Sequence, residues 1–164
     1  VTEAIVHPDG RVDFGDRRFR AALGRAGVRV HKQEGDEATP AGLLALRRVL
    51  YRADRVRMPR AMVAREPIAE DDGWCDDIYD TAYNTMVRLP QAGRHERLWR
   101  EDAIYDIVGV LGWNDAPVIK GHGSAIFLHV ARKDLAPTDG CVALAQHELV
   151  ALLESGLTAL RVLP

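Results

Sequence analysis

Cysteine is scarce in this 164-residue chain, which carries only Cys75 and Cys141. Two are too few for a disulfide framework, and they leave the redox compartment unread. Zinc could in principle use Cys75, Cys141, His122 and His129, but no C-x-x-C or H-x-x-x-H spacing is present to call for a metal. No lysine or arginine block stands out, and the formal net charge is −2, so nothing suggests nucleic acid as a partner. The longest apolar runs fall far short of the roughly 20 residues that cross a bilayer, and no membrane span is expected. A charged-then-apolar leader does not open the chain at Val1. Repeats and low-complexity tracts are missing. The segment GHGSA (121–125) lacks the Lys-Ser/Thr ending of a phosphate loop. A chain of this length reads as a single domain, 1–164, able to bury a sizeable core without staples.

What is present reads as mainly β. Asp9-Gly10 sits between two short alternating segments and favours the positive-φ turn of a hairpin, and Gly15-Asp16 marks the next turn. LLALRRVLY (43–51) fits strand or helix by periodicity alone. From Arg52 to Asn84 the chain turns polar and irregular, a long connection of the kind that usually serves a function. YDIVGVLGWN (105–114) and SAIFLHVA (124–131) are apolar runs rich in β-branched and aromatic residues, expected as buried strands. LAQHELVALLESG (144–156) reads as an amphipathic helix stopped by Gly156, and LTALRVL (157–163) as a closing strand.

The chemistry gathers in residues 121 to 149, which hold three of the six histidines. His129 ends an apolar strand; a turn-rich connection with Pro137 and Gly140 follows, then Cys141 and, within a few residues, the helix. A thiol at a helix N-terminus is favoured as thiolate by the macrodipole. A neighbouring imidazole acts in the same direction and can take the thiol proton. Backbone N–H groups around Gly140 and Cys141 could face a developing oxyanion. Together these are the parts of an acyl-transfer site. A lone cysteine is nonetheless a common small core residue, and a strand-end histidine a common hydrogen-bonded one. Cys75, among the carboxylates of DDGWCDD, reads as structural or substrate-lining. His122 is expected in a loop and His147 on the helix surface. Trp74, Trp99 and Trp113 read as core or groove-wall residues.

SAIFLHVARKDLAPTDGCVAL resembles the signature of the L,D-transpeptidase family with the YkuD-type catalytic domain. There a histidine at a strand end precedes a Ser/Thr-x-Gly-Cys motif, matched here by His129, Thr138, Gly140 and Cys141. Thr39, Pro40 and Gly42 resemble the family's Thr-Pro-x-Gly motif. DDGWCDD, YNTMVRLP and HERLWREDAIYDIVGVLGWND resemble its short proteobacterial branch. Two departures stand out: Asp139 occupies the place of a second histidine, and Ala143 stands where Arg or Asn is frequent.

The resemblance implies a β-sandwich-like domain with one helix directly after the cysteine and a long irregular central loop. It implies Cys141 as nucleophile, His129 as base, and the carbonyl of Val130 as the group orienting the imidazole. It further implies stem-peptide cross-linking through a thioester, either 3–3 links or 1–3 links between L-alanine and diaminopimelate. Donor and acceptor are then peptidoglycan stem peptides, carbapenems are expected to acylate the thiol, and no cofactor or metal is needed. A periplasmic location follows from that substrate. Asp139 and Thr138 line the expected pocket, Asp139 being either a contact for a substrate amine or a turn residue. Arg132 and Arg88 are candidates for gripping stem-peptide carboxylates. Two alternatives stay open: an L,D-carboxypeptidase or amidase on the same site, and a peptidoglycan-binding module without catalysis.

Overall fold

A computed structural model describes residues 2–164. Its strands, in chain order, are β1 (Glu3–Val6), β2 (Arg11–Phe14), β3 (Arg17–Ala22), β4 (Val28–Arg29), β5 (Thr39–Pro40), β6 (Gly42–Tyr51) and β7 (Arg65–Pro67). Then come β8 (Asp72–Cys75), β9 (Met86–Arg88), β10 (His95–Arg97), β11 (Ile107–Leu111), β12 (Phe127–Val130), β13 (Val142–Leu144) and β14 (Ala159–Val162). The single α-helix among the described residues, α1 (Gln146–Glu154), lies between the last two strands.

The hairpins form where the turn residues place them. Gly10 has φ +92°, its N–H donates to the His7 carbonyl at 2.9 Å, and Asp9 accepts the Arg11 N–H at 2.9 Å. A side chain at Gly10 would also strike the Ala21 carbonyl at 2.5 Å, so only glycine closes this turn. LLALRRVLY resolves as strand: β6 is ten residues long and pairs first with β14, through Gly42–Ala45, then with β11, through Leu46–Tyr51. β3 changes partner in the same way, from β2 to β13. The nine strands run β11-β12-β13-β3-β2-β1-β14-β6-β7, and a further pairing joins β11, at one end, to β6, next to the other. The outcome is a β-sandwich around Val6, Val12, Phe19, Leu44, Leu128, Val142, Leu144 and Leu160, all buried.

The helix expected at 144–156 forms as Gln146–Glu154, with an unexpected strand before it. It starts at Gln146, because Val142, Ala143 and Leu144 form β13, pairing in parallel with β12 and fully buried. A strand covered on both faces reads as a continuous apolar run, which short windows cannot tell from helix. Leu149, Leu152 and Leu153, spaced i, i+3 and i+4, seat α1 on the core, and the chain leaves through Gly156 at φ +99°. The polar stretch 52–84 is also less irregular than it reads, since it contains β7 and β8. β8 pairs with β9 and β10 in a small three-stranded sheet. A second buried cluster, including Trp74, Leu98, Tyr105, Val108, Phe127 and Cys141, joins this sheet to the outer face of β11 and β12.

Candidate active site

Strand alternation puts the thiol and the imidazole on one side. β12 and β13 are parallel, with Leu128 opposite Val142 and His129 opposite Ala143. Leu128, Val130, Val142 and Leu144 face the main core. Phe127, His129 and Cys141 therefore face the other way. His129 and Cys141 line a shared cavity of about 410 Å³, a size suited to a small ligand.

Cys141 is 8% exposed. Its sulfur accepts the Phe127 N–H at 3.4 Å, and its S–H donates to the Ala125 carbonyl at 3.3 Å. His129 Nδ1 lies 2.8 Å from the Val130 carbonyl oxygen. A carbonyl can only accept, so Nδ1 carries the proton and Nε2 is left as a lone-pair acceptor. Burial pushes the Cys141 thiol up to about 12, with Glu96 adding to the shift. It pulls His129 down to about 4, against the Val130 hydrogen bond and aided by Arg132 and Arg100. The pair rests as neutral thiol and neutral imidazole. The expected helix-assisted thiolate is thus corrected: β13 separates Cys141 from the positive end of α1, and desolvation dominates.

The Thr-x-Gly-Cys turn is built by backbone constraints. Thr138 Oγ1 donates to the Cys141 carbonyl at 2.7 Å and accepts the Gly140 N–H at 3.1 Å. The Gly140 N–H expected to face an oxyanion is therefore already engaged, and Gly140 serves the turn itself. Its φ is +140°, and a side chain there would meet the Ala38 carbonyl at 2.7 Å. Ala38 immediately precedes the Thr39-Pro40-Ala41-Gly42 segment. Thr39 is fully buried and accepts the Gly24 N–H at 2.9 Å, while Gly24 bridges to Thr138. The two motifs recognised separately in the sequence are thus packed against each other.

The remaining candidates divide. Arg132 lines the cavity, half-exposed, 3.7 Å from Asp102. Asp139 lines the mouth with its side chain 87% exposed, held by Arg25 at 2.6 Å; the same guanidinium binds Glu37. Arg88 is a correction. It stands exposed on β9, its Nη1 donating to both Asp71 carboxylate oxygens at 2.9 and 3.1 Å, and it does not line the cavity. Cys75 is free, fully buried in β8 and outside the cavity. His122 sits in a loop away from the thiol, its carbonyl accepting from Trp113, and His147 is exposed on α1. Trp74 packs edge-on to Phe127, and Trp99 lies under the Arg52 guanidinium.

Several site residues were missed. Asn84 is buried at φ +57° and accepts from Trp74 Nε1 at 3.0 Å and from the Ala125 N–H at 3.1 Å. Its amide donates to the carbonyls of Trp113 and Asn114 at 2.9 and 2.8 Å. It thereby fixes Ala125, whose own φ of +53° is costly for a residue with a Cβ and whose carbonyl holds the thiol proton. Glu96, Arg100 and Tyr105 also line the cavity. An asparagine tolerates the left-handed conformation better than most residues, which is the one cue Asn84 offered.

A buried thiol beside an imidazole with one free ring nitrogen, opening into a charged cavity, is equipped for nucleophilic acyl transfer. The model of the L,D-transpeptidase catalytic domain, YkuD, matches residues 5–159. The chain belongs to that family. No curated protein matches it.

Proposed function

We propose that the protein is an L,D-transpeptidase of peptidoglycan stem peptides, acting in the periplasm through a thioester on Cys141. The observation that carries this reading is the shared face of Cys141 and His129, with Nδ1 tied to Val130 and Nε2 free. Nε2 takes the thiol proton as the sulfur attacks the carbonyl of the L-centre. When the tetrahedral adduct collapses, the C–N bond breaks and the imidazolium returns that proton to the departing D-residue's amine. An acceptor amine, the side-chain amine of a diaminopimelate residue, then attacks the thioester. Nε2 takes its proton and passes it to the leaving thiolate. Neutral resting partners suit this cycle, because proton transfer occurs as the sulfur attacks and no buried charge waits in the empty site.

Arg132 is assigned to a stem-peptide carboxylate and Asp139, with Thr138 beneath it, to the wall beside the scissile bond. Cleavage after diaminopimelate gives 3–3 links; cleavage after L-alanine gives 1–3 links. A strained β-lactam carbonyl presents the same electrophile, so a carbapenem is expected to acylate Cys141. Hydrolysis of the same thioester would make the protein an L,D-carboxypeptidase, a reading favoured by the small cavity and by a thiol only 8% exposed, which leave limited room for a second stem. Incubating purified stem tetrapeptide with the protein and resolving products by mass separates these outcomes. Dimers support transfer, and release of the D-residue without dimers supports hydrolysis. No product of either kind would count against both.

A further inference from the structure

Tyr105 and Glu96 belong to neither motif, yet they meet beside the thiol and the imidazole. Tyr105 is 5% exposed. Its ring stands edge-to-face with the His129 imidazole, centroids 5.3 Å apart at 80°, and with the Phe127 ring, 5.7 Å apart at 79°. Phe127 in turn gives its N–H to the Cys141 sulfur. One ring therefore touches both the base and the residue that holds the nucleophile. The ring is fixed at its far end: the hydroxyl donates to the Glu96 carboxyl on β10 of the small sheet, and Arg100 Cζ lies 5.4 Å from the ring centroid.

The hydrogen bond from Nδ1 to Val130 restrains the imidazole at one atom only. Rotation about the Cβ–Cγ bond is opposed further only by what packs on the ring faces and edges, since such torsions have broad minima. We propose that Tyr105 and Glu96 are positioning residues for the acyl transfer: Glu96, through the Tyr105 hydroxyl, clamps the ring that keeps His129 Nε2 at the angle proton transfer requires. This rests on His129 being the base. The charged and titratable groups around His129 are Arg132, Arg100 and Asp102, with Tyr105 and Cys141.

The test uses four variants of the full chain, Tyr105→Phe, Glu96→Gln, Glu96→Leu and Cys141→Ala, assayed on stem tetrapeptide across pH. Tyr105→Phe keeps the ring and deletes its anchor, so kcat should fall about tenfold while KM stays within about twofold, as expected for lost orientation. The acid limb of kcat should move to higher pH, because a loosened imidazole gains water. Glu96→Gln retains an acceptor oxygen and should keep kcat within about threefold of wild type, whereas Glu96→Leu should match Tyr105→Phe. Wild-type kcat and acid limb in Tyr105→Phe, or a loss confined to KM, would overturn the clamp. Equal losses in Glu96→Gln and Glu96→Leu would overturn the hydrogen-bonding role of Glu96. Activity in Cys141→Ala would instead remove the thioester reading, whatever the other variants show.

Discussion

Cys141 and His129 project from the same face of adjacent parallel chain segments, two residues out of step with each other. The strand ladder sets that offset, and the Phe127 N–H and the Val130 carbonyl then fix each reactive atom from the backbone. These backbone contacts persist when a neighbouring side chain is substituted, so loss of either reactive group should cost more than loss of a residue that positions it.

Cys141→Ala should abolish turnover and leave the protein folded. Residual activity below about one thousandth of wild type is expected for loss of an obligatory nucleophile. Cys75→Ser should retain the chemistry and lose stability, because it puts a hydroxyl into the fully buried site on β8. Steady-state kinetics and thermal melts on both variants check this. An active Cys141→Ala with an inactive Cys75→Ser would assign the nucleophile to the other cysteine.

The depressed His129 makes a signed prediction about stability. An unfolded histidine titrates near 6.5, and the folded one near 4. Between those values the unfolded chain binds a proton that the folded chain does not. His129 therefore contributes no penalty above pH 6.5, and stability falls as pH drops toward 4, by on the order of 3 kcal/mol at most. Denaturant melts of wild type and His129→Gln from pH 7 to 4 should converge on acidification. A constant difference between them would show that His129 is not buried in its neutral form. The thiol, pushed up to about 12, should alkylate slowly in the free enzyme, with a rate still climbing at pH 10.

Gly140→Ala should be both destabilised and inactive. The new Cβ would lie 2.7 Å from the Ala38 carbonyl with φ at +140°, a strain of roughly 1–3 kcal/mol that shifts the neighbouring Cys141. Thr138→Val loses the hydroxyl that holds both Gly140 and Cys141 and should cost about 1–2 kcal/mol. Thr138→Ser should restore both stability and rate. Failure of the serine variant to rescue would show that the methyl packing, not the hydroxyl, matters there.

The parts of this site legible in the sequence were those with local chemistry. Asp9-Gly10 sets a turn by itself, the β-branched runs before Leu111 and Val130 mark strands, and Thr138-x-Gly140-Cys141 after His129 is a linear pattern. What failed depended on tertiary pairing. Val142–Leu144 is too short for its period to show, so the strand between Cys141 and the helix went unread and a helix-assisted thiolate was expected. β8 lies within a polar stretch, yet all four of its residues are buried, because it is the central strand of the small sheet. Glu96 on β10 and Tyr105, just before β11, meet through the connection between those strands, and only the fold brings that pair beside His129 on β12. Arg88 looked available because its partner, Asp71, is 17 residues away and joined to it only across the β8–β9 hairpin.

Arg132 and Arg88 give a paired control for substrate contact. Arg132→Ala removes a half-exposed guanidinium from the cavity wall and should raise KM for stem peptide about tenfold, the effect of one charge-assisted contact. Arg88→Ala, outside the cavity and bound to Asp71, should leave KM and kcat unchanged. A larger KM effect at Arg88 would place a substrate-binding surface on the small sheet.

The central claim is the thioester, and intact-protein mass spectrometry measures it directly. Wild-type protein mixed with stem tetrapeptide and quenched in acid should gain the mass of the donor up to the attacked L-centre, carried by the fragment containing Cys141. A carbapenem should give one adduct on the same fragment, and Cys141→Ala should give neither. Turnover of the tetrapeptide with no covalent species on Cys141, or with the adduct on Cys75, would contradict the account.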